Sequence, residues 1–183
     1  MMLAHGLSSA ALFIMCGQVY ERVHTRDMRL MGGMRGQFPY LAFFLMFFVA
    51  ALVGIPGLGN FIGEFLILMG SYAKFPVFTI LAAVSLVFAG LYGLILIHKA
   101  LFGTPNEEQQ QHYNNPLKDL NAREVVILLI CAFGLLWLGL YPQSFLDISN
   151  SSMAWLANSY IPVQETVDTL QQAVVSAENV EIQ

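Results

Sequence analysis

Two side chains stand where proton chemistry would be costly to place without a use. Glu64 follows Gly63 and precedes Phe65-Leu66-Ile67-Leu68-Met69 inside a long apolar run, and a carboxylate at membrane depth costs roughly 2.5–3.5 kcal/mol on insertion scales. Burial disfavours its charged form, whereas the free ends of an interrupted helix and nearby polar groups can stabilise either form. A carboxylate balanced in this way can take up and release a proton; the plainer alternative is that it only hydrogen-bonds loosened backbone. His5 could relay protons, since imidazole titrates near neutrality and has two ring nitrogens; on its own it reads as well as an interfacial residue. His98, beside Lys99 at the end of an apolar run, reads as a headgroup-facing pair.

The element that must position Glu64 is Gly54-Ile55-Pro56-Gly57-Leu58-Gly59-Asn60-Phe61-Ile62-Gly63-Glu64. Proline removes a backbone donor, glycines loosen the helix on both sides, and in lipid each freed N–H and C=O needs a partner other than water. Gly54, Pro56, Gly57, Gly59 and Asn60 therefore read as a structural helix break. Unwound backbone lining a cavity, with an ionisable group in an ion path, is a pattern of membrane transporters. The string Gly57–Gly63 has the look of a dinucleotide fingerprint but fails it, because the third glycine comes one residue late and no βαβ unit surrounds it.

Composition places the chain in the membrane class: of 183 residues 57% are hydrophobic and 11% charged, with a mean hydropathy of +0.63. The net charge of −4 hides an asymmetry, since all eight Lys and Arg lie at or before Arg123. Nucleic acid is excluded as a partner on this balance. Cys16 and Cys131 lie in apolar segments without paired spacing, so they read as small buried hydrophobes and not as a disulfide or metal framework; no metal site is expected. Residues 1–17 are apolar, but Arg22, Arg26 and Arg29 follow the run instead of preceding it, which argues against a signal peptide. A start this close to an apolar helix, with neither leader nor cap, is expected of a piece of a longer protein.

The hydropathy pattern predicts an all-α integral membrane protein with four transmembrane helices, the second discontinuous, and a carboxy-terminal amphipathic helix. The spans are expected at about 3–20, 38–72 (broken at 54–60), 77–97 and 125–141. Together they form a membrane domain over 1–149, followed by a polar, acidic tail over 150–183. In the tail Val163, Val167, Leu170 and Val174 recur at helical spacing. The first span holds His5, Gly6, Ser8, Ser9 and Gln18, too many small or polar groups for a helix facing lipid alone. The run 38–72 is too long for one straight span and short for two. Charge decides: if it crosses once, the connectors 21–37 and 99–123 lie on one face and gather seven of the eight basic residues, as the positive-inside rule favours.

Three strings carry a resemblance. Ala4-His5-Gly6-Leu7-Ser8-Ser9-Ala10, Glu21-Arg22-Val23-His24-Thr25-Arg26-Asp27-Met28 and the run from Gly54 to Phe65 look like the carboxy-terminal third of the M subunit of bacterial NADH–quinone oxidoreductase. This is the respiratory complex I subunit of the mitochondrial subunit 4 type, and the match covers 1 to about 149. The resemblance implies a proton-translocating membrane-arm subunit that couples NADH oxidation and quinone reduction to proton pumping, as part of an enzyme but with no redox centre of its own. It implies that the spans are the last four of fourteen and that Glu64 is the terminal ionisable residue of a proton channel, fed by a polar axis to which His5 belongs. NADH, FMN, iron–sulfur clusters and quinone would be bound by other subunits, and this chain would hold none. Partners implied are other membrane-arm subunits, the amino-terminal part of the same subunit, and lipid. The location implied is the bacterial inner membrane, with loops 21–37 and 99–123 cytoplasmic and both ends periplasmic. A cation/proton antiporter subunit and a non-transporting structural remnant are the competing readings.

Overall fold

In the computed structural model the described residues are 1–28, 31–103, 118–150, 152–156 and 158. Among them the secondary structure is helical throughout, without strands. Helix α1 is Met2–Val23, α2 the single turn Met34–Gln37, α3 Pro39–Leu52, α4 Gly59–Tyr72, α5 Pro76–Ile97 and α6 Ala122–Leu140, with a π-helical turn His98–Phe102 continuing α5. Three segments, Met2–Val23, Pro76–Phe102 and Ala122–Leu140, are long and apolar enough to cross a membrane, and α3 is a shorter apolar helix. The chain divides into two compact units, Met1–Pro142 and Gln143–Gln183. In the second, residues 143–150 are helical and the Gln143 amide donates to Asp147 Oδ1 at 2.7 Å. The amphipathic pattern expected at Val163, Val167, Leu170 and Val174 lies outside the described residues.

The helices begin and end where local chemistry directs. Pro39 and Pro76 stand in the first turns of α3 and α5, where a missing N–H costs nothing. Helix α6 opens with a capping box, the Asn121 side chain and the Glu124 carboxylate each taking a backbone N–H from the other's position. Helix α1 closes on His24, which adopts a left-handed conformation and donates its N–H to Tyr20 O.

The centre of the first unit is built from α1, α3 and α6. Met15, Phe38, Leu41, Phe48, Leu128 and Leu135 are fully buried there. Close helix approach depends on small residues: a Cβ on Gly93 of α5 would stand 2.7 Å from Val53 Cγ2, and one on Gly59 would stand 2.9 Å from the Cβ atoms of both Ala4 and Leu138. Helix α5 lies outermost, with only Thr79 and Gly93 buried among its residues. Cys16 is exposed and Cys131 half-buried, so the expectation that both are buried fails for Cys16. Membrane helices are apolar on every side, and hydropathy cannot tell the protein-facing side from the other.

The two polar connectors meet at one end of this unit. Arg22, in the last turn of α1, donates from Nε to Lys118 O at 3.3 Å and from Nη2 to Asp119 O at 3.2 Å. Its Nη2 also reaches Glu124 Oε2 at 2.7 Å, in an ion pair. Asp119 in turn accepts the N–H groups of Tyr40 (2.9 Å) and Leu41 (3.3 Å) at the open start of α3, satisfying donors that no residue of α3 itself can. The Arg35 guanidinium lies over the Phe102 ring at 5.1 Å from its centroid. The end of α1, the start of α3, the end of α5 and the start of α6 are thus neighbours. The chain therefore leaves this end through α3 and α4 and returns through α5.

Candidate functional site

Between α3 and α4 the backbone leaves the helix at residues 53–58. Gly54 and Gly57 have φ values of 79° and 97°, in the left-handed region that a side chain makes costly. The opened turn is held by irregular bonds: Gly54 N–H to Ala51 O at 3.3 Å, Ile55 N–H to Ala50 O at 3.2 Å and Leu58 N–H to Ile55 O at 3.3 Å. Pro56 sits in the turn and offers no N–H of its own.

Asn60 ties this break to the rest of the bundle. Its side chain is 1% exposed, and its Nδ2 donates twice, to Ala51 O at 2.8 Å and to Ser8 Oγ at 3.0 Å. The Ser8 hydroxyl passes the direction on by donating to His5 O at 3.1 Å. A carbonyl can only accept, so the bond to Ala51 fixes which amide atom is nitrogen. It leaves Asn60 Oδ1 buried and without a hydrogen-bond partner. Sequence reasoning placed Asn60 in the break but missed Ser8 as its anchor on α1, since the contact spans 52 positions.

Glu64 lies one turn further along α4, half-buried, and folds back over the break. A Cβ on Gly54 would collide with Glu64 Oε2, so the carboxylate occupies the space that a side chain at Gly54 would take. That oxygen is buried without a hydrogen-bond partner. His5, whose carbonyl oxygen takes the Ser8 hydroxyl, is itself exposed on α1. Next to Glu64, Gly63 is in close contact with Met1, the site of a Cβ lying 2.6 Å from that of Met1. Through the Asn60–Ser8 bond and the Gly63–Met1 contact, the start of α1, which carries His5, is brought against α4 beside the glycines and asparagine of the break. His98, Lys99 and Lys74 are exposed elsewhere and take no part. Among the described residues no three His, Cys, Asp or Glu side chains gather in a group that could hold a metal ion.

A half-buried carboxylate with one buried oxygen, set against unwound backbone, can exchange a proton between two routes if each route reaches a different oxygen. It offers no nucleophile poised by a base and no phosphate cradle.

The chain is similar to known proteins over most of its length. The family model described as NADH:quinone oxidoreductase/Mrp antiporter, TM matches residues 1–95. The NADH-quinone oxidoreductase subunit M of Pseudomonas aeruginosa is 52% identical over 152 residues, covering 83% of this chain and 29% of that protein. The protein of the same name from Escherichia coli K12 is 45% identical over 162 residues, covering 86% and 31%. Among solved structures, a chain of respiratory complex I from Thermus thermophilus with bound NADH superposes with a TM-score of 0.70 at 31% identity, over 78% of this chain and 29% of that one. The chain spans about three tenths of the length of these curated relatives.

Proposed function

The chain belongs to the NADH:quinone oxidoreductase/Mrp antiporter transmembrane family, and from that membership we propose that it is a proton-translocating part of the membrane arm of an NADH–quinone oxidoreductase. One observation carries the reading furthest: Glu64 Oε2 is buried without a hydrogen-bond partner against Gly54 of the helix break. Glu64 takes a proton arriving on the His5 side and releases it on the periplasmic side. Quinone reduction in other subunits, which hold NADH, FMN, iron–sulfur clusters and quinone, drives the cycle through charged groups along the membrane arm. Other membrane-arm subunits and the amino-terminal part of the same subunit are the partners, in the bacterial inner membrane.

The crossings are four, with α3 and α4 as one discontinuous passage. This is supported by the meeting of both polar connectors at one end of the bundle, which requires an odd number of passages between α1 and α5. The positive-inside rule then sets the connectors in the cytoplasm and both ends in the periplasm. Replacing Glu64 by Gln in the assembled complex is expected to reduce NADH-driven proton uptake into inside-out vesicles at least tenfold per electron, with quinone reduction retained. Pumping at the normal ratio would overturn the assignment.

The family description also names antiporters, which favours a second reading as a cation/proton antiporter subunit. Sodium-dependent proton flux in vesicles without NADH would support it.

A further inference from the structure

The break holds a second polar group that the proton cycle above does not use. Asn60 and Glu64 are four residues apart on α4, so their side chains lie on one face of the helix, about 5–6 Å apart at Cβ for this spacing. Both turn back toward the break, Asn60 to Ala51 O and Glu64 to the space beside Gly54. Both Asn60 N–H groups are committed, to Ala51 O and Ser8 Oγ, which directs Oδ1 away from those partners. Each residue then retains one buried oxygen without a hydrogen-bond partner, Asn60 Oδ1 and Glu64 Oε2. Two bare acceptors cannot satisfy each other, but a proton on the carboxyl converts one of them into a donor.

We propose that Asn60 is a positioning residue for the proton on Glu64, its Oδ1 accepting the carboxylic O–H, directly or through one water, when Glu64 is protonated. The inference rests on the reading of Glu64 as the proton carrier. Uptake of the proton adds a hydrogen bond and release removes it, with no bond made or broken other than O–H. Because the same carboxamide clamps the end of α3 to α1 through Ser8, the acceptor stays fixed while the carboxyl changes state. A hydrogen bond made only to the neutral acid favours that form, so removing the acceptor favours the carboxylate. The ionisable groups around the site are few. His5 stands on α1, three residues from the Ser8 that anchors Asn60. The elements packed on α4 also carry Cys16, Tyr20, Glu21 and Arg22 on α1, Tyr40 on α3, Tyr92 on α5, and Arg123, Glu124 and Cys131 on α6.

The test uses inside-out membrane vesicles containing the assembled complex, with proton uptake per electron followed across pH. Asn60→Ser and Asn60→Thr both keep a hydroxyl that can donate to Ala51 O but lose the carboxamide oxygen, so either serves if the other fails to assemble. They are expected to move the alkaline limit of coupled pumping about one pH unit lower, the scale of one such hydrogen bond. Ser8→Ala loosens the same clamp but keeps Oδ1 and the bond to Ala51 O, and its alkaline limit is expected to move clearly less than in either Asn60 variant. An unmoved limit in both Asn60 variants, or an equal shift in Ser8→Ala, would overturn the inference and leave Glu64 as carrier. Normal pumping in Glu64→Gln would overturn the carrier reading and this inference together.

Discussion

At the residue scale, the site depends on what its glycines leave open. Gly54 and Gly57 share a left-handed backbone, but only at Gly54 is the space beyond Cα occupied, by the Glu64 carboxylate; a Cβ on Gly57 would meet nothing within 4 Å. Alanine at Gly57 carries the conformational cost alone, about 1–2 kcal/mol, and the complex is expected to assemble and pump near normally. Alanine at Gly54 carries that cost and also displaces the carboxylate, so pumping per electron should fall several-fold further than in Gly57→Ala. Quinone reduction beside proton uptake checks the contrast, and equal losses in the two variants would remove the special place given to Gly54. The sequence exposed Glu64 and the glycines, because a costly residue in an apolar run is conspicuous. It could not reveal the Asn60–Ser8 bond, since serine and asparagine are common hydrogen-bonders and nothing local pairs them across 52 positions.

At the scale of elements, the stability of the connector end rests on a cluster that reads in sequence as mere positive charge. Arg22 is 8% exposed and gives its guanidinium to two carbonyls of the 118–119 segment, to Gln18 O at 3.0 Å and to Glu124. Glu124 doubles as the capping residue of α6 and accepts the Asn121 N–H at 2.8 Å. Removing either partner leaves a largely buried charged group short of bonds, a loss of about 1.5–3 kcal/mol. Arg22→Met or Glu124→Gln is expected to lower the thermal midpoint of the detergent-solubilised complex, and the double variant to lose less than the sum of the two. Additive losses would show that the pair is not coupled. Arg22→Lys should rescue little, because an ammonium cannot span the forked set of acceptors. Hydropathy placed the start of this helix near residue 125; neither the capping box that opens it at Ala122 nor the Arg22 partner on α1 leaves a hydropathy signal.

At the scale of the whole molecule, the path of the chain is decided by parity. The connectors meet at one end, so residue Lys74, between α4 and α5, belongs to the other. With Cys16 and Cys131 replaced, Arg26→Cys and Lys99→Cys are expected to react with an impermeant maleimide from the cytoplasmic side, and Lys74→Cys from the periplasmic side. Labelling of Arg26→Cys and Lys74→Cys from one side and of Lys99→Cys from the other would mean two passages where one discontinuous passage is proposed. Much of α5 and of α4 beyond Glu64 is apolar and uncovered, Phe65, Met69, Val87, Phe88 and Leu91 among them, as suits surface that faces lipid or other subunits. The sequence by itself determined the helical, membrane-type character, the place of the break and the odd carboxylate, because each is a local departure from a strong hydropathy pattern. Tertiary structure alone decided which side of each helix is covered, that the Glu64 carboxylate fills the space beside Gly54, and that Asn60, Ser8, Arg22 and Asp119 join distant segments. Those facts depend on how helices with nearly uniform apolar surfaces are rotated against one another, and that rotation is set by small-residue contacts and a few long-range hydrogen bonds that leave no periodic trace in the chain.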